Sequence, residues 1–180
     1  MLKHVWNFVR NPQYQSYSTG PGWYKRKLFF GLLKWNLGIG ISIAFFTFFL
    51  TDVLGMDMGE HATDKLFQEH SLFTVFCLMA IVAPIIEELI FRGPLVFFKS
   101  SRFFPLAYYI SFLAFGAIHI GNFQNLEEAV FIAPLLVAPQ LIMGVFLGFI
   151  RVKLGLSWAV LLHGCHNGII FLLVSSSQPF

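Results

Sequence analysis

Five long apolar stretches dominate the chain. They run from about Leu32 to Leu54, Leu72 to Phe98, Pro105 to Gly121, Ala129 to Ile150 and Leu156 to Val174. Each approaches or exceeds the ~20 residues that an α-helix needs to cross a bilayer. The runs are continuous and lack the alternation of apolar and polar positions that barrel strands show. The pattern therefore predicts an all-α, polytopic membrane bundle of about five transmembrane helices. Ahead of them, residues 1–31 are mixed and punctuated by Gly and Pro, with no small-residue cleavage site of a signal peptide. Leu2, Val5, Trp6 and Val9 recur there at helical spacing, which suits an interfacial helix lying on the membrane; a disordered tail is the alternative. By this reading residues 1–31 form a cytoplasmic or interfacial segment, and 32–71 the first transmembrane helix with its outer loop.

Composition agrees. Of 180 residues, 57% are hydrophobic and 12% charged, with 23 Phe, against roughly 25% charged in a soluble domain. The net charge of +3 is not gathered on one face, which argues against nucleic acid and leaves lipid as the expected surroundings. Charge placement sets topology. Lys3, Arg10, Lys25, Arg26, Lys27, Lys34, Lys99, Arg102, Arg151 and Lys153 fall before or early in run one, or after runs two and four. Asp52, Asp57, Glu60, Asp64, Glu69, Glu127 and Glu128 fall at or after runs one and three, beside the single base Lys65. The positive-inside rule then places the N-terminus inside and the C-terminus outside. Cys77 and Cys165 lie inside runs with no disulfide or CxxC pattern and read as structural.

Only Glu87, Glu88 and Arg92 are charged well within a run, joined by His119, His163, His166 and Asn167. A charge at mid-bilayer costs about 2.5–3.5 kcal/mol on insertion scales, so this set calls for a reason. Glu88 and Arg92 stand four apart on one helix face and can neutralise each other. Glu87 is rotated by about 100° and keeps its carboxylate free. Phe115 and His119, and likewise His163 and Asn167, are also four apart. By rise per residue Glu87 lies roughly 15–18 Å, and His163 and Asn167 roughly 11–17 Å, from the inner ends of their runs. His119 comes out at roughly 21 Å, which demands a tilt or kink in its helix; Gly93-Pro94 and Pro105 offer places for one. Such a set suits peptide hydrolysis. Glu87 with His119 positions and deprotonates a water, and His163 and Asn167 donate to the tetrahedral oxyanion. His166 is expected to bond a carbonyl of a neighbouring helix, and Gln140 one freed by Pro139.

EELIFR (Glu87–Arg92), FGAIH (Phe115–His119) and HGCHN (His163–Asn167) fit EExxxR, FxxxH and HxxxN in order. The region from about Ala83 to Ile170 thereby resembles the CPBP family of CAAX proteases and bacteriocin-processing enzymes, which includes the Ras-converting CAAX endopeptidases. The resemblance implies an intramembrane endopeptidase with residues 72–176 as its core. It also implies Glu87, His119, His163 and Asn167 as catalytic residues, and Glu88, Arg92 and Phe115 as supports. The implied substrate is a peptide or protein with a membrane-associated segment, and the implied location a bacterial plasma membrane crossed several times. The eukaryotic CAAX enzymes have more spans, so substrate-binding walls here are expected to differ or to come from a second copy in a homo-oligomer.

Two other readings stand beside this one. Glu87, His119 and His163 match a His₂Glu zinc site with an open position, but HExxH spacing is absent and Asn167 supplies an oxyanion donor, which favours a cofactor-free mechanism. A non-proteolytic membrane protein, such as a bacteriocin self-immunity or scaffold factor, would use the same cluster to bind a partner. A transporter is disfavoured because no internal repeat is visible.

Overall fold

A computed structural model describes residues 1–17, 19–57 and 59–176, with backbone alone for 126–129 and 131. The side chains of Glu127 and Glu128, two of the acids assigned to the outer face, thus lie outside the described residues. The fold is all-α, 81% helical, with no strand among the described residues. Four helical segments are long and apolar enough to span a membrane: Gly22–Val53, Leu72–Phe98, Phe104–Asn122 and Leu156–Ser175. The chain is an integral membrane protein.

The first helix, α1 (Leu2–Arg10), is docked. It buries Val5 and Phe8, with the Phe8 ring edge-on to Tyr108 and Phe149 at 5.0 and 5.2 Å, and Tyr109 donates its hydroxyl to Val9 O at 2.6 Å. Trp6, on the other face, is 61% exposed. Helix α2 (Gly22–Val53) starts ten residues before the first apolar run. At 1.5 Å per residue it measures about 48 Å, longer than the ~30 Å hydrocarbon layer, so its basic first turns lie beyond that layer.

A short α3 (Ala62–Glu69) follows, capped by His61. The second run is a composite of α4 (Leu72–Cys77), a π-helical turn (Leu78–Val82), α5 (Ala83–Phe91) and a 3₁₀ segment (Gly93–Phe98). Pro84 lies in the first turn of α5, where its missing N–H cannot serve the ladder, and the π turn precedes it. Helix α6 (Phe104–Ile118) runs into a 3₁₀ turn at His119–Asn122. His119 therefore sits at the far end of its helix, which accounts for the depth computed from sequence.

The fourth run differs from expectation. It divides into α7 (Leu126–Leu136) and α8 (Ala138–Leu154), with Pro139 in the first turn of α8, where its missing N–H breaks no helical hydrogen bond. Helix α8, at 17 residues, is not among the four long spans, yet it is the core element. It packs against α2, α6 and α9 (Leu156–Ser175) and buries ten residues from Met143 to Leu154. Gly144 and Gly148 permit this: a Cβ there would come within 2.9 Å of Phe112 and 2.6 Å of Tyr108. Phenylalanines such as Phe45, Phe48, Phe73 and Phe97 are 70–82% exposed, as lipid-facing side chains are.

Candidate active site

Three elements bring the polar set together: α5, the end of α6 and the middle of α9. Glu88 and Arg92 are both fully buried, joined by Arg92 Nη1 to Glu88 Oε1 at 3.0 Å. His163, 1% exposed, places Nδ1 3.1 Å from the same Glu88 oxygen. A carboxylate can only accept, so Nδ1 carries the proton and Nε2 is the atom His163 turns toward Glu87. The Nε2 to Glu87 Oε2 distance is 3.7 Å, too long for a direct hydrogen bond. Glu87 Oε2 itself is buried and bonds no described residue. Glu88 Oε2 is likewise buried without a described partner, so the adjacent glutamates differ in setting: Glu88 is fully buried and accepts twice through Oε1, while the Glu87 side chain is 23% exposed.

Phe115 is the hub of the cluster. Fully buried, it meets the rings of His119 and His163 edge-on at 4.9 and 5.6 Å and carries Arg92 Cζ 4.0 Å from its centroid. An aromatic face over a desolvated guanidinium is worth about 2 kcal/mol, and here it covers part of an arginine whose Nε and Nη2 find no other described partner. His119 Nδ1 lies 2.7 Å from Phe115 O, which leaves Nε2 for the site. Its ring is close enough to Glu87, His163 and Arg92 to interact with each electrostatically.

Asn167 is tied to the π turn. Its Nδ2 donates to Met79 O at 2.9 Å, taking up a carbonyl outside the regular α ladder. One N–H of the amide remains for another acceptor. One turn earlier on α9, a Cβ on Gly164 would come within 2.6 Å of Ala80 O. Glycine is what allows α9 to approach this backbone.

The structure also adds residues that sequence reasoning passed over. His166 pairs through Nδ1 with Asn36 Nδ2 at 3.0 Å, a side chain and not the expected carbonyl. Asn36 is 1% exposed, and its signal in the sequence was that of a lone amide within an apolar run. Among the described residues Gln140 bonds no freed carbonyl, and its Oε1 is buried without a partner there. As for zinc, Glu87, His119 and His163 do not fit it as they stand: among the described residues no three His, Cys, Asp or Glu side chains converge as ligands.

A family model described as type II CAAX prenyl endopeptidase Rce1-like matches residues 69–169, more than half of the chain. The chain belongs to this Rce1-like family. No curated protein and no solved structure matches it significantly. The Rce1-like region takes in α4 to α9 up to residue 169, with every residue of the cluster except Asn36. Membership supports a CAAX-type intramembrane protease activity, a hydrolase acting in lipid on membrane-associated substrates.

Proposed function

We propose that the chain is an intramembrane endopeptidase in which Glu87 activates water against a peptide bond. The observation that carries this reading is the uncommitted Glu87 Oε2 facing His163 Nε2 at 3.7 Å, on a side chain 23% exposed, beside a Glu88 that is fully buried and bound through Oε1 to Arg92 and His163. A buried carboxylate oxygen without a partner calls for one, and the reaction's water is a fitting partner. Glu87 takes a proton from that water, which His119 Nε2 helps to orient, and the oxygen attacks the carbonyl carbon. The resulting oxyanion accepts hydrogen bonds from Asn167 and, when its ring carries both protons, from His163 Nε2. Glu87 then passes the proton to the departing amide nitrogen as the C–N bond breaks. Glu88 holds His163 in register, Arg92 neutralises Glu88, and Phe115 shields Arg92. The substrate is a peptide or protein with a membrane-associated segment, the core spans residues 72–176, and the setting is a bacterial plasma membrane.

The decisive experiment compares membrane proteomes of cells carrying wild type or Glu87→Gln. A peptide that loses its processed form in the variant supports the reading, whereas identical proteomes with an intact cellular phenotype count against it. One observation favours the second reading, a non-proteolytic scaffold: His163 Nδ1 and Asn167 Nδ2 are both engaged within the fold. That alternative prevails if only variants that unfold the protein, such as Arg92→Ala, remove the phenotype.

A further inference from the structure

Residues 1–68 lie outside the family match, yet they line most of a pocket of about 640 Å³. Its walls are α1, the 11–17 strap, the start of α2 and the end of α8. The strap is held from below: Tyr17 N donates to Lys153 O at 2.8 Å, Lys153 Nζ to Gln15 O at 3.2 Å, and Arg151 Nη1 to the Tyr14 hydroxyl at 3.2 Å. The lining combines apolar side chains such as Phe8, Trp23 and Phe149 with polar and basic ones. It includes Lys27, Lys153, His4 and the amides of Asn7 and Asn11, and no acidic side chain. Between Met1 and Thr51 the sequence has six Lys or Arg and no Asp or Glu, so no neighbouring carboxylate competes. Lys153 makes no ion pair among the described residues. It stands instead over the Tyr17, Phe8 and Phe149 rings at 4.8–5.8 Å.

Position selects the ligand. Trp23 lines the pocket and, like Trp6, is 61% exposed, as aromatic side chains are at the headgroup level. The apolar part of α2 begins one turn later, and α2 is too long to lie within hydrocarbon. The pocket is therefore at the membrane–water boundary on the basic face, where anionic lipid is concentrated. Two ammonium groups act as point charges for a phosphate, and amide groups can take glycerol hydroxyls.

We propose that this pocket binds the phosphate-bearing headgroup of an anionic phospholipid and thereby clamps α1 onto the end of α8. The inference is independent of the hydrolytic reading. The test uses the purified full chain in detergent, incubated with dioleoylphosphatidylglycerol, dioleoylphosphatidylcholine or inorganic phosphate and examined by native mass spectrometry. Preferential retention of phosphatidylglycerol is expected. Lys27→Gln and Lys153→Gln should each weaken it about fivefold, while the Lys25→Gln/Lys34→Gln pair, basic but outside the pocket, should not. Equal retention of both lipids overturns the proposal. So does equal weakening by the control pair, which marks diffuse surface charge, or capture of inorganic phosphate without preference for phosphatidylglycerol. Should Lys153→Gln not elute as folded protein, Lys27→Gln decides alone, because Lys27 is exposed.

Discussion

His163 donates from Nδ1 to Glu88 Oε1 at 3.1 Å, the same oxygen that receives Arg92. Replacing Glu88 by Gln keeps the volume but deprives buried Arg92 of its hydrogen-bonded counter-charge, and removing one partner of a buried pair costs about 3–5 kcal/mol. Glu88→Gln is expected to lower the unfolding temperature markedly and also to abolish cleavage. Glu87→Gln should lower cleavage by about 10²–10⁴ with an unchanged unfolding temperature. Thermal unfolding and a peptide-cleavage assay on both variants separate the roles, and equal destabilisation by the two would contradict the division.

Phe115 serves packing and charge at once, so its variants should form a series. Phe115→Ala is expected to cost about 3–5 kcal/mol through cavity formation. Phe115→Leu recovers most of the volume but not the aromatic face toward Arg92, and should retain a deficit of about 2 kcal/mol. Equilibrium unfolding of Phe115→Leu within error of wild type would show that the ring's contact with Arg92 contributes nothing.

The close approach of α9 to the π turn gives a backbone test. Gly164→Ala places a methyl against Ala80 O, where the 2.6 Å separation forces the helices apart at a cost of about 1–3 kcal/mol. Asn167 would then lose its reach to Met79 O. Loss of stability together with faster hydrogen exchange around residues 78–82 is expected; exchange unchanged there would remove the claimed contact.

His61 lies between spans and caps α3: its Nδ1 accepts from Thr63 N at 3.2 Å while Asp64 accepts from His61 N at 3.3 Å. Burial lowers its pKa below the ordinary 6.5, against the opposing pull of Asp64. Protonation removes the accepting lone pair. The unfolded chain takes up the proton first, so the cap's contribution is complete above pH 6.5 and declines as the pH falls from there through the lower folded value. Amide protection factors in residues 62–69, taken relative to intrinsic exchange at each pH, should fall between pH 7.5 and 5.5 in wild type but not in His61→Asn, which caps without titrating in this range. Equal loss of protection in both would dismiss the histidine as the cause.

Chelation separates the two chemistries that share Glu87, His119 and His163. Cleavage by protein stripped with a strong chelator should continue at the wild-type rate. Complete loss, restored by zinc alone, would replace water activation by Glu87 with metal chemistry.

What the sequence determined by itself follows from short-range rules. The composition and length of the apolar runs required an all-α membrane bundle, because lipid leaves backbone groups no partner except one another. The limits of the second, third and fifth runs are nearly those observed, and Glu88 with Arg92 paired as their four-residue spacing requires. The three motifs located the cluster and the family. Pro139 signalled a break, yet the division of the fourth run into α7 and the short, buried α8 depended on what that helix packs against.

Tertiary structure decided the matters that need a partner from elsewhere in the chain. Periodicity cannot say that His163, 75 residues from Glu88, takes the same oxygen as Arg92, nor that Asn36 meets His166 across 130 positions. It cannot say that Phe115 joins both histidines to an arginine, or that Phe8 anchors the N-terminal helix to the bundle. Spacing along a helix settles which residues share a face. Which face meets which is settled by close packing of side chains, here made possible by glycines at 144, 148 and 164.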